Sequence, residues 1–305
     1  MYRSFEEIES HVINDHVKKT LAVANAQDDV SLEAVITAKR KGIINPVLVG
    51  IPEKISEILK KAGESPEEYQ IIESREEREA GDIVCRLVKE GKADIPMKGL
   101  MQTKTFMRAI LNKEMGFFAE GALLSQATVL DFAEQNRMMV ISDCAVNISP
   151  DLGAKEKITM NAVKIAHSLG IEKPNIAFLS AVETINPKIP STVDADALAH
   201  LAAEGEMGEI GMAAGPLALD NALSAEAAKH KGISSPVCGN ADILIVPDLC
   251  SGNILTKSLT YFAHLKSAGT LNGANIPVVM TSRTDTPEDK YYSILMAVLA
   301  AENAK

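Results

Sequence analysis

The segment Ala241-Asp-Ile-Leu-Ile-Val-Pro-Asp-Leu-Cys-Ser-Gly-Asn-Ile-Leu-Thr-Lys257 passes from a continuous apolar run into a polar loop and then into a helical pattern. An uninterrupted apolar run is typical of a parallel strand that is covered on both faces. Polar residues just beyond such a strand lie where α/β proteins bind ligands. The segment therefore predicts an α/β fold. Its candidate binding residues are Asp248, Gly252, Asn253 and Lys257, although a plain capped turn explains the same pattern.

Short β-rich runs alternate with helical patterns along the rest of the chain, as in proteins whose helices pack on mostly parallel sheets. One helix is expected to begin at Ser149-Pro150 and to end at Gly170, and another to begin at Ser191 or Thr192. The predicted strands cover residues 46–50, 71–72, 93–97, 127–130, 138–142, 176–180, 210–213, 243–246 and 277–281.

Composition limits the function. The chain has 305 residues, about twice the usual domain length, so two domains are expected. A net charge of −10 and an aromatic content of 4% argue against a nucleic-acid partner. No apolar run reaches the ~20 residues of a membrane helix, and the start of the chain lacks a signal peptide's apolar core. Four separated cysteines are typical of reduced thiols, so we expect a cytoplasmic protein with no membrane partner.

Several well-known sites are absent from the sequence. There is no phosphate-binding G-x-x-x-x-G-K-[ST] motif, and no G-x-G-x-x-G follows a strand. No H-E-x-x-H motif or Cys/His cluster suggests a metal, and no G-x-S-x-G motif suggests an acyl-serine hydrolase.

The stretch PVVMTSRTDTPED, residues 277–289, is the most informative for chemistry. An apolar run ends at Ser282 and Arg283, and a helix then begins with Asp289 as its third residue. A guanidinium fits a phosphate or an oxyanion, a hydroxyl donates to developing negative charge, and a carboxylate accepts a proton. Simpler explanations stay open. Asp289 is placed to cap the helix, Ser282-Arg283 to form a surface turn, and Asp285 is an alternative carboxylate.

Two further strand ends carry polar residues. Lys98-Gly99, within residues 94–103, precedes a helix start and would suit an anion, although a surface lysine explains it as well. Residues 214–221 form another junction of this kind, which turn chemistry alone explains.

Six stretches together resemble the phosphate acetyl/butyryltransferase family, and most closely its phosphate butyryltransferase branch. They cover most of residues 95–295 in the family's order. The stretches are IPMKGLMQTKTFMRAILNKEMG, ISDCAVNISPDLGAKEKI, FLSAVETINPKIPSTVDADAL, GPLALDNALSAEAAKHKGI, GNADILIVPDLCSGNILTKSL and TSRTDTPEDKYYSI.

The resemblance implies an architecture. It implies two α/β domains of the isocitrate/isopropylmalate dehydrogenase-like type, with mostly parallel sheets and the active site in the interdomain cleft. With the last helix returning to the first domain, the expected domains are residues 1–138 plus 273–305 and residues 139–272. A homo-oligomer, a dimer or larger, is also implied.

The resemblance also implies a reaction, in which acyl-CoA and inorganic phosphate give acyl phosphate and CoA by direct attack of the CoA thiolate. Ser282 and Arg283 take the roles of oxyanion donor and anion holder, and Asp289 that of base, cap or both. CoA is then a co-substrate, with no tightly bound cofactor and no metal. Residues 123–126 lack an arginine that the acetyltransferase branch carries. Phosphate is therefore expected at Lys98, Ser125 or Thr128, beside Gly99.

Other functions stay open on the sequence alone. Within the enzyme class, an acetyl-specific transferase is an alternative to a butyryl or branched-chain enzyme. Outside it, the same fold serves oxidoreductases, and a non-catalytic protein that binds CoA or acyl phosphate is a third possibility.

Overall fold

The chain, in a computed structural model that describes residues 1–14 and 18–303, divides into two compact units. The central unit comprises Leu123–Lys266 together with Met1–Ser4. The terminal unit comprises Phe5–Ala122 and Ser267–Lys305. No helix among the described residues is long and apolar enough to cross a membrane.

The terminal unit is built on a four-stranded sheet in the order β3-β2-β1-β4, in which every pair is parallel. The strands are covered by helices, and the core includes the fully buried side chains of Phe5, Leu21, Leu48 and Phe106. Its elements are α1 (Phe5–Asn14), β1 (Lys19–Ala24), α2 (Asp29–Arg40), β2 (Ile44–Gly50), α3 (Pro52–Lys61), β3 (Gln70–Glu73), α4 (Glu77–Lys89), β4 (Ile95–Lys98), α5 (Thr103–Ile110), β10 (Ser267–Asn272) and α11 (Pro287–Asn303).

The central unit is built on strands in the order β5-β6-β9-β7-β8. β5 pairs with β6 antiparallel, and the other pairs are parallel. Its core includes Leu130, Ile141, Ala177 and Leu244. Its elements are β5 (Ser125–Phe132), β6 (Arg137–Ser142), α6 (Leu152–Ser168), β7 (Asn175–Leu179), α7 (Pro190–Ala203), β8 (Met212–Leu217), α8 (Leu219–Leu223), α9 (Ala225–His230), β9 (Ile243–Ile245) and α10 (Leu249–Tyr261).

The predicted fold class, α/β with mostly parallel sheets, is confirmed, but some predicted elements were wrong. Residues 277–281 do not form a strand of a sheet. They run beside β4, to which a single bridge joins them at Met97 and Val279. α6 begins after an Asp151 cap rather than at Ser149-Pro150, because the Asp151 carboxylate accepts from the Ala154 amide at 2.8 Å.

The unit boundaries also differ from the predicted domain boundaries at 138/139 and 272/273. β5 lies in the central unit because it pairs along its length with β6, and β10 lies in the terminal unit, where it packs on α11. The independent folding of two domains stays a prediction.

Candidate active site

Lys98 lies at the carboxyl end of β4 and is 2% exposed. Its backbone amide donates to the Val279 carbonyl at 2.9 Å, which ties residues 278–281 to the strand end. Gly99 follows because a side chain would not fit there. An added Cβ would lie 2.6 Å from the carbonyl oxygens of both Ala24 and Asn25, at the end of β1. Three chain segments therefore end side by side in the terminal unit.

The loop after residue 281 carries the predicted Ser282 and Arg283, and both are exposed. The Ser282 amide donates to the Asp285 carboxylate at 2.6 Å, and the Ser282 hydroxyl lies 3.1 Å from the Thr284 hydroxyl. The carboxylate shapes the turn, and the hydroxyl and guanidinium remain accessible from solvent. This is the arrangement needed for groups that meet a ligand.

Lys290, which no sequence motif indicated, lies under this loop. It is 3% exposed, and its ammonium donates to the Thr281 hydroxyl at 3.0 Å and to the Ser282 carbonyl at 2.8 Å. Its only sequence signal is its position on α11, since it shares a helical face with the buried Ile294 and Ala297. A lysine on an otherwise apolar face needs a polar partner.

Two of the same neighbouring carboxylates act on both Lys98 and Lys290. Burial, followed by repulsion from Lys290 and then Arg283, lowers the pKa of Lys98 to about 8, against attraction from Asp285 and Asp28. Burial also lowers the pKa of Lys290, again opposed by Asp285 and Asp28. Two buried cations and an exposed one therefore act on one region at the strand ends, where the field favours an anion.

Asp289 forms the cap of α11. One carboxylate oxygen accepts from the Thr286 amide at 3.2 Å and its hydroxyl at 2.6 Å, and the other accepts from the Ser267 amide at 3.2 Å and its hydroxyl at 3.0 Å. The Asp289 amide donates back to the Thr286 hydroxyl at 3.1 Å. This reciprocal pattern is a capping box with Asp in place of Glu, so the carboxylate has a complete structural role.

In the central unit, Ser125 and Thr128 do not lie together. Side chains on a strand alternate between its faces, so residues 125 and 128 point to opposite sides of β5. The Ser125 hydroxyl accepts from the Asn161 amide group at 2.9 Å, whereas the Thr128 hydroxyl accepts from the Gln126 amide group at 3.1 Å. Both are buried and bonded to protein, so the two hydroxyls do not form one phosphate site.

Gly252 and Asn253 join α10 to the loop after β6. A Cβ at Gly252 would lie 2.5 Å from the Asp143 carbonyl oxygen, so the close approach made possible by this glycine is to the protein's own backbone. The Asn253 side-chain amide donates to the Cys144 carbonyl at 3.3 Å. Lys257, one turn further on, is exposed. Gly252 is buried, Asn253 is half-buried and Lys257 faces solvent.

Asp248 caps α10 and also lines a pocket of about 610 Å³ in the central unit. Its carboxylate accepts from the Ser251 amide at 2.8 Å. The pocket lies beyond the ends of β7 and β9, where the buried Lys155 pairs with Asp194 at 2.5 Å. One part of its lining is apolar and consists of Leu179, Leu219, Val246 and Leu255. The other part carries hydroxyl groups, those of Ser149, Ser180, Ser191 and Ser251. A ligand with both apolar and polar parts suits such a pocket.

No group of three or more His, Cys, Asp or Glu side chains in the described ranges is arranged to hold a metal ion. Independence from metals stays a prediction.

Comparison with known proteins identifies the family. Residues 78–298 match the family described as "Phosphate acetyl/butaryl transferase". The chain belongs to this family. It is 43% identical to the phosphate butyryltransferase of Clostridium acetobutylicum, over 99% of this chain and 100% of that protein. It is 40% identical to the phosphate acetyltransferase of Thermotoga maritima, over 93% of this chain and 95% of that protein.

Solved structures agree with this family assignment. The chain superposes on a branched-chain phosphotransacylase from Enterococcus faecalis with a TM-score of 0.81 and 32% identity, covering 93% of this chain and 99% of that one. A 4-hydroxythreonine-4-phosphate dehydrogenase from Klebsiella pneumoniae, at 13% identity and a TM-score of 0.56, covers 93% of this chain and 100% of that one and shares the fold alone. The prediction of an acyltransferase of the phosphate acetyl/butyryltransferase type is confirmed. The two alternatives, an oxidoreductase and a non-catalytic binding protein, are not supported by these relatives.

Proposed function

We propose that this acyltransferase moves a butyryl or branched short acyl group between CoA and inorganic phosphate. The observation that carries the proposal is the loop of Ser282 and Arg283 above the buried ammonium groups of Lys98 and Lys290. The 43% identity to a phosphate butyryltransferase supports the butyryl preference. An acetyl preference is the second candidate, supported by the 40% identity to a phosphate acetyltransferase.

The reaction needs negative charge to be held at two places. In the direction of acyl-CoA formation, the CoA sulfur attacks the carbonyl carbon of acyl phosphate, and the bond from that carbon to the phosphate oxygen breaks. We assign the carbonyl oxygen to the Ser282 hydroxyl and the phosphate to Arg283 and Lys98. The thiol proton leaves with the phosphate. One well-placed donor to the developing charge contributes ~3 kcal/mol to the transition state.

Asp289 is a candidate base for the thiol proton. The four hydrogen bonds that its carboxylate accepts support the helix-cap role instead. To act as a base, the carboxylate would have to exchange one of these bonds for the thiol. We therefore assign Asp289 first to the cap.

The pocket beside Asp248 is where we place part of CoA. Its volume of about 610 Å³ and its mixed lining suit the pantetheine arm, which is apolar along its length and carries amide groups. The exposed Lys257 is assigned to a CoA phosphate. Gly252 and Asn253 are assigned to holding α10 in place, so their contribution to substrate binding is indirect.

The setting of the enzyme is also proposed. We expect a cytoplasmic homo-oligomer, a dimer or larger, with no tightly bound cofactor, no nucleic-acid partner and no membrane partner. A monomer by light scattering would contradict the oligomer.

A single assay tests the function. The purified protein is mixed with acetyl-, butyryl- and isobutyryl-CoA in the presence of phosphate, and free thiol is followed with time. We expect phosphate-dependent thiol release that is fastest with butyryl- or isobutyryl-CoA. Fastest release with acetyl-CoA would favour the second candidate, and no release with any of the three would refute the transferase.

Two substitutions test the roles in the loop. Ser282→Ala and Arg283→Ala should each lower kcat/KM at least ~100-fold, because each removes a donor to charge in the transition state. Thr284→Ala is the matched control, since Thr284 lies in the same exposed loop and loses only its contact with the Ser282 hydroxyl. Equal losses in all three variants would show that the loop's shape, rather than its donors, matters.

A further inference from the structure

The ammonium group of Lys98 is poorly partnered for a buried charge. Among the described residues, its hydrogen-bond contact is the Gly99 carbonyl at 3.4 Å, at the long limit for such a bond. Lys98 is only 2% exposed, so water does not replace the missing partners. A buried charge with so few partners lowers the stability of the fold unless a ligand of opposite charge binds to it.

Lys290 differs because both of its contacts are short and to the protein. Its ammonium is held by the Thr281 hydroxyl at 3.0 Å and the Ser282 carbonyl at 2.8 Å. Its position is therefore fixed before any ligand arrives. From that position it repels the Lys98 ammonium.

Other charges also act on Lys98. Arg283 adds to the repulsion, and Asp285 and Asp28 oppose it. Asp28 is engaged as the cap of α2, where its carboxylate accepts from the Ser31 amide at 3.0 Å, and Asp285 holds the Ser282 amide. Both carboxylates therefore have structural hydrogen bonds of their own, whereas the buried Lys155 has a direct ion pair with Asp194 at 2.5 Å.

We propose that Lys98 takes up a proton when an oxyanion binds at these strand ends, and that Lys290 is the positioning residue that keeps Lys98 ready to do so. The proposal rests on the proposed function for one point only, the identity of the natural anion as phosphate. The proton moves from solvent to the Lys98 nitrogen as the anion enters, and returns to solvent when the anion leaves. Lys290, whose ammonium is hydrogen-bonded to the Thr281 hydroxyl and the Ser282 carbonyl, is not the group that titrates in this proposal.

The direction of the effect follows from the charges. With no anion, burial and Lys290 hold the pKa of Lys98 at about 8, so above pH 8 most Lys98 side chains are neutral. A bound dianion favours the ammonium and raises that pKa. Binding at pH 8.5 should then take up roughly three quarters of a proton, because that is the neutral fraction of a group with a pKa near 8. At pH 6.5 Lys98 is already charged, so uptake should be close to zero.

Sulfate is the probe, because it has the shape and charge of phosphate but does not titrate near neutral pH. Its binding to the whole protein is measured by calorimetry in buffers with different heats of ionisation, which gives the protons taken up per sulfate bound. The readout does not depend on catalysis. We expect uptake at pH 8.5 and little at pH 6.5.

Four variants separate the two lysines. Lys98→Arg should bind sulfate without uptake, since a guanidinium stays charged. Lys290→Arg keeps the repelling charge and should keep the uptake, which also excludes Lys290 as the group that titrates. Lys290→Met removes the repulsion, which is the second cause of the lowered pKa of Lys98, and leaves burial, which is the first, so the uptake at pH 8.5 should fall without vanishing. Lys54→Met, an exposed lysine on α3, is the matched control and should behave as the original protein.

Three results would overturn the proposal: no sulfate binding, full uptake in Lys98→Arg, or unchanged uptake in Lys290→Met. Circular dichroism identifies a variant that fails to fold, and the two arginine variants then still decide between the lysines. The thiol-release assay is independent of these results. Sulfate-linked uptake without thiol release would refute the transferase and leave the anion site, whereas thiol release without uptake would refute only the role of Lys98.

Discussion

Asp289 has both carboxylate oxygens engaged, by Thr286 on one side and by Ser267 on the other. Asp289→Asn keeps one carbonyl oxygen as an acceptor and replaces the other oxygen with an NH2 group. That group donates, and so it cannot accept from the amide and hydroxyl that face it. We expect the free energy of unfolding to fall by ~1 kcal/mol, as for the loss of a helix cap, while kcat stays within a factor of ten. Urea unfolding and the thiol-release assay measure the two effects.

Thr286→Ala is the control for that prediction, because it removes the other half of the same cap and leaves the Asp289 carboxylate in place. If both variants lose stability but only Asp289→Asn loses turnover by more than 100-fold, the cap alone does not explain Asp289 and the role of base is supported.

Two helical glycines should respond in opposite ways to the same change. At Gly252 an added Cβ would lie 2.5 Å from the Asp143 carbonyl, so Gly252→Ala should cost ~1–3 kcal/mol through displacement of α10. At Gly153 the nearest atom is 3.9 Å away, so Gly153→Ala should stabilise α6 by ~0.5–1 kcal/mol. Melting temperatures report both. A stable Gly252→Ala variant would show that α10 does not need this close contact.

At the scale of the element, α10 and α6 both begin with an aspartate N-cap. The Asp248 carboxylate accepts from the Ser251 amide and the Asp151 carboxylate accepts from the Ala154 amide, each at 2.8 Å. Asp248→Ala and Asp151→Ala should therefore each cost ~1 kcal/mol of stability. Only Asp248 lines the pocket, so only Asp248→Ala should raise the KM for CoA several-fold. An equal rise in both variants would argue against CoA in this pocket.

The elements that the sequence predicted are those with strong local signals. Strands such as β6 and β9 are continuous apolar runs. Strands that are covered on both faces are apolar at every position, so this pattern predicts them directly. Two strands were missed: β1, although its sequence KTLAVA is largely apolar, and β10, with the sequence SAGTLN, whose small and polar residues acquire their burial only from α11. Residues 277–281 have the local pattern of a strand, but pairing depends on a neighbour, and only Val278 and Val279 find bridge partners.

Candidate site residues could be proposed from the sequence where they are adjacent along the chain. Ser282 and Arg283 follow an apolar run, and Lys98-Gly99 ends a strand, so both lie at junctions that the pattern reveals. Lys290 was missed because its partners, Thr281 and the Ser282 carbonyl, are brought to it only by the turn that precedes α11. Ser125 and Thr128 were alternatives for holding phosphate, and the sequence could not indicate that they point to opposite sides of β5; their role in binding stays a prediction.

At the scale of the whole molecule, the buried charge of Lys98 should appear in the dependence of stability on pH. Burial lowers the pKa of Lys98 to about 8 in the folded state. At a pH below 8 the ammonium is charged in both the folded and the unfolded state, and burying that charge lowers the free energy of unfolding. Between pH 8 and about 10.5 the unfolded state holds more protons, and this penalty is relieved as pH rises. Other groups titrate in the same range, so the comparison is made with Lys98→Met, which has no such penalty.

The measured quantity is the difference in free energy of unfolding between the original protein and Lys98→Met, by urea unfolding at pH 7 and pH 9.5. The difference should shift by ~2 kcal/mol in favour of the original protein at the higher pH. A difference that is constant across this range would show that Lys98 titrates normally in the folded protein.

The division of the terminal unit between the two ends of the chain affects how the protein is made. Its sheet comes from residues before Ala122, whereas α11, which contacts α2, β4 and β10 and buries Ile294, Leu295 and Val298, comes last. A ribosome adds ~5–20 residues per second and releases the whole central unit before it reaches α11. The nascent sheet must therefore wait, with an apolar face uncovered, until α11 has been synthesised, and we expect chaperones to be needed most during that interval.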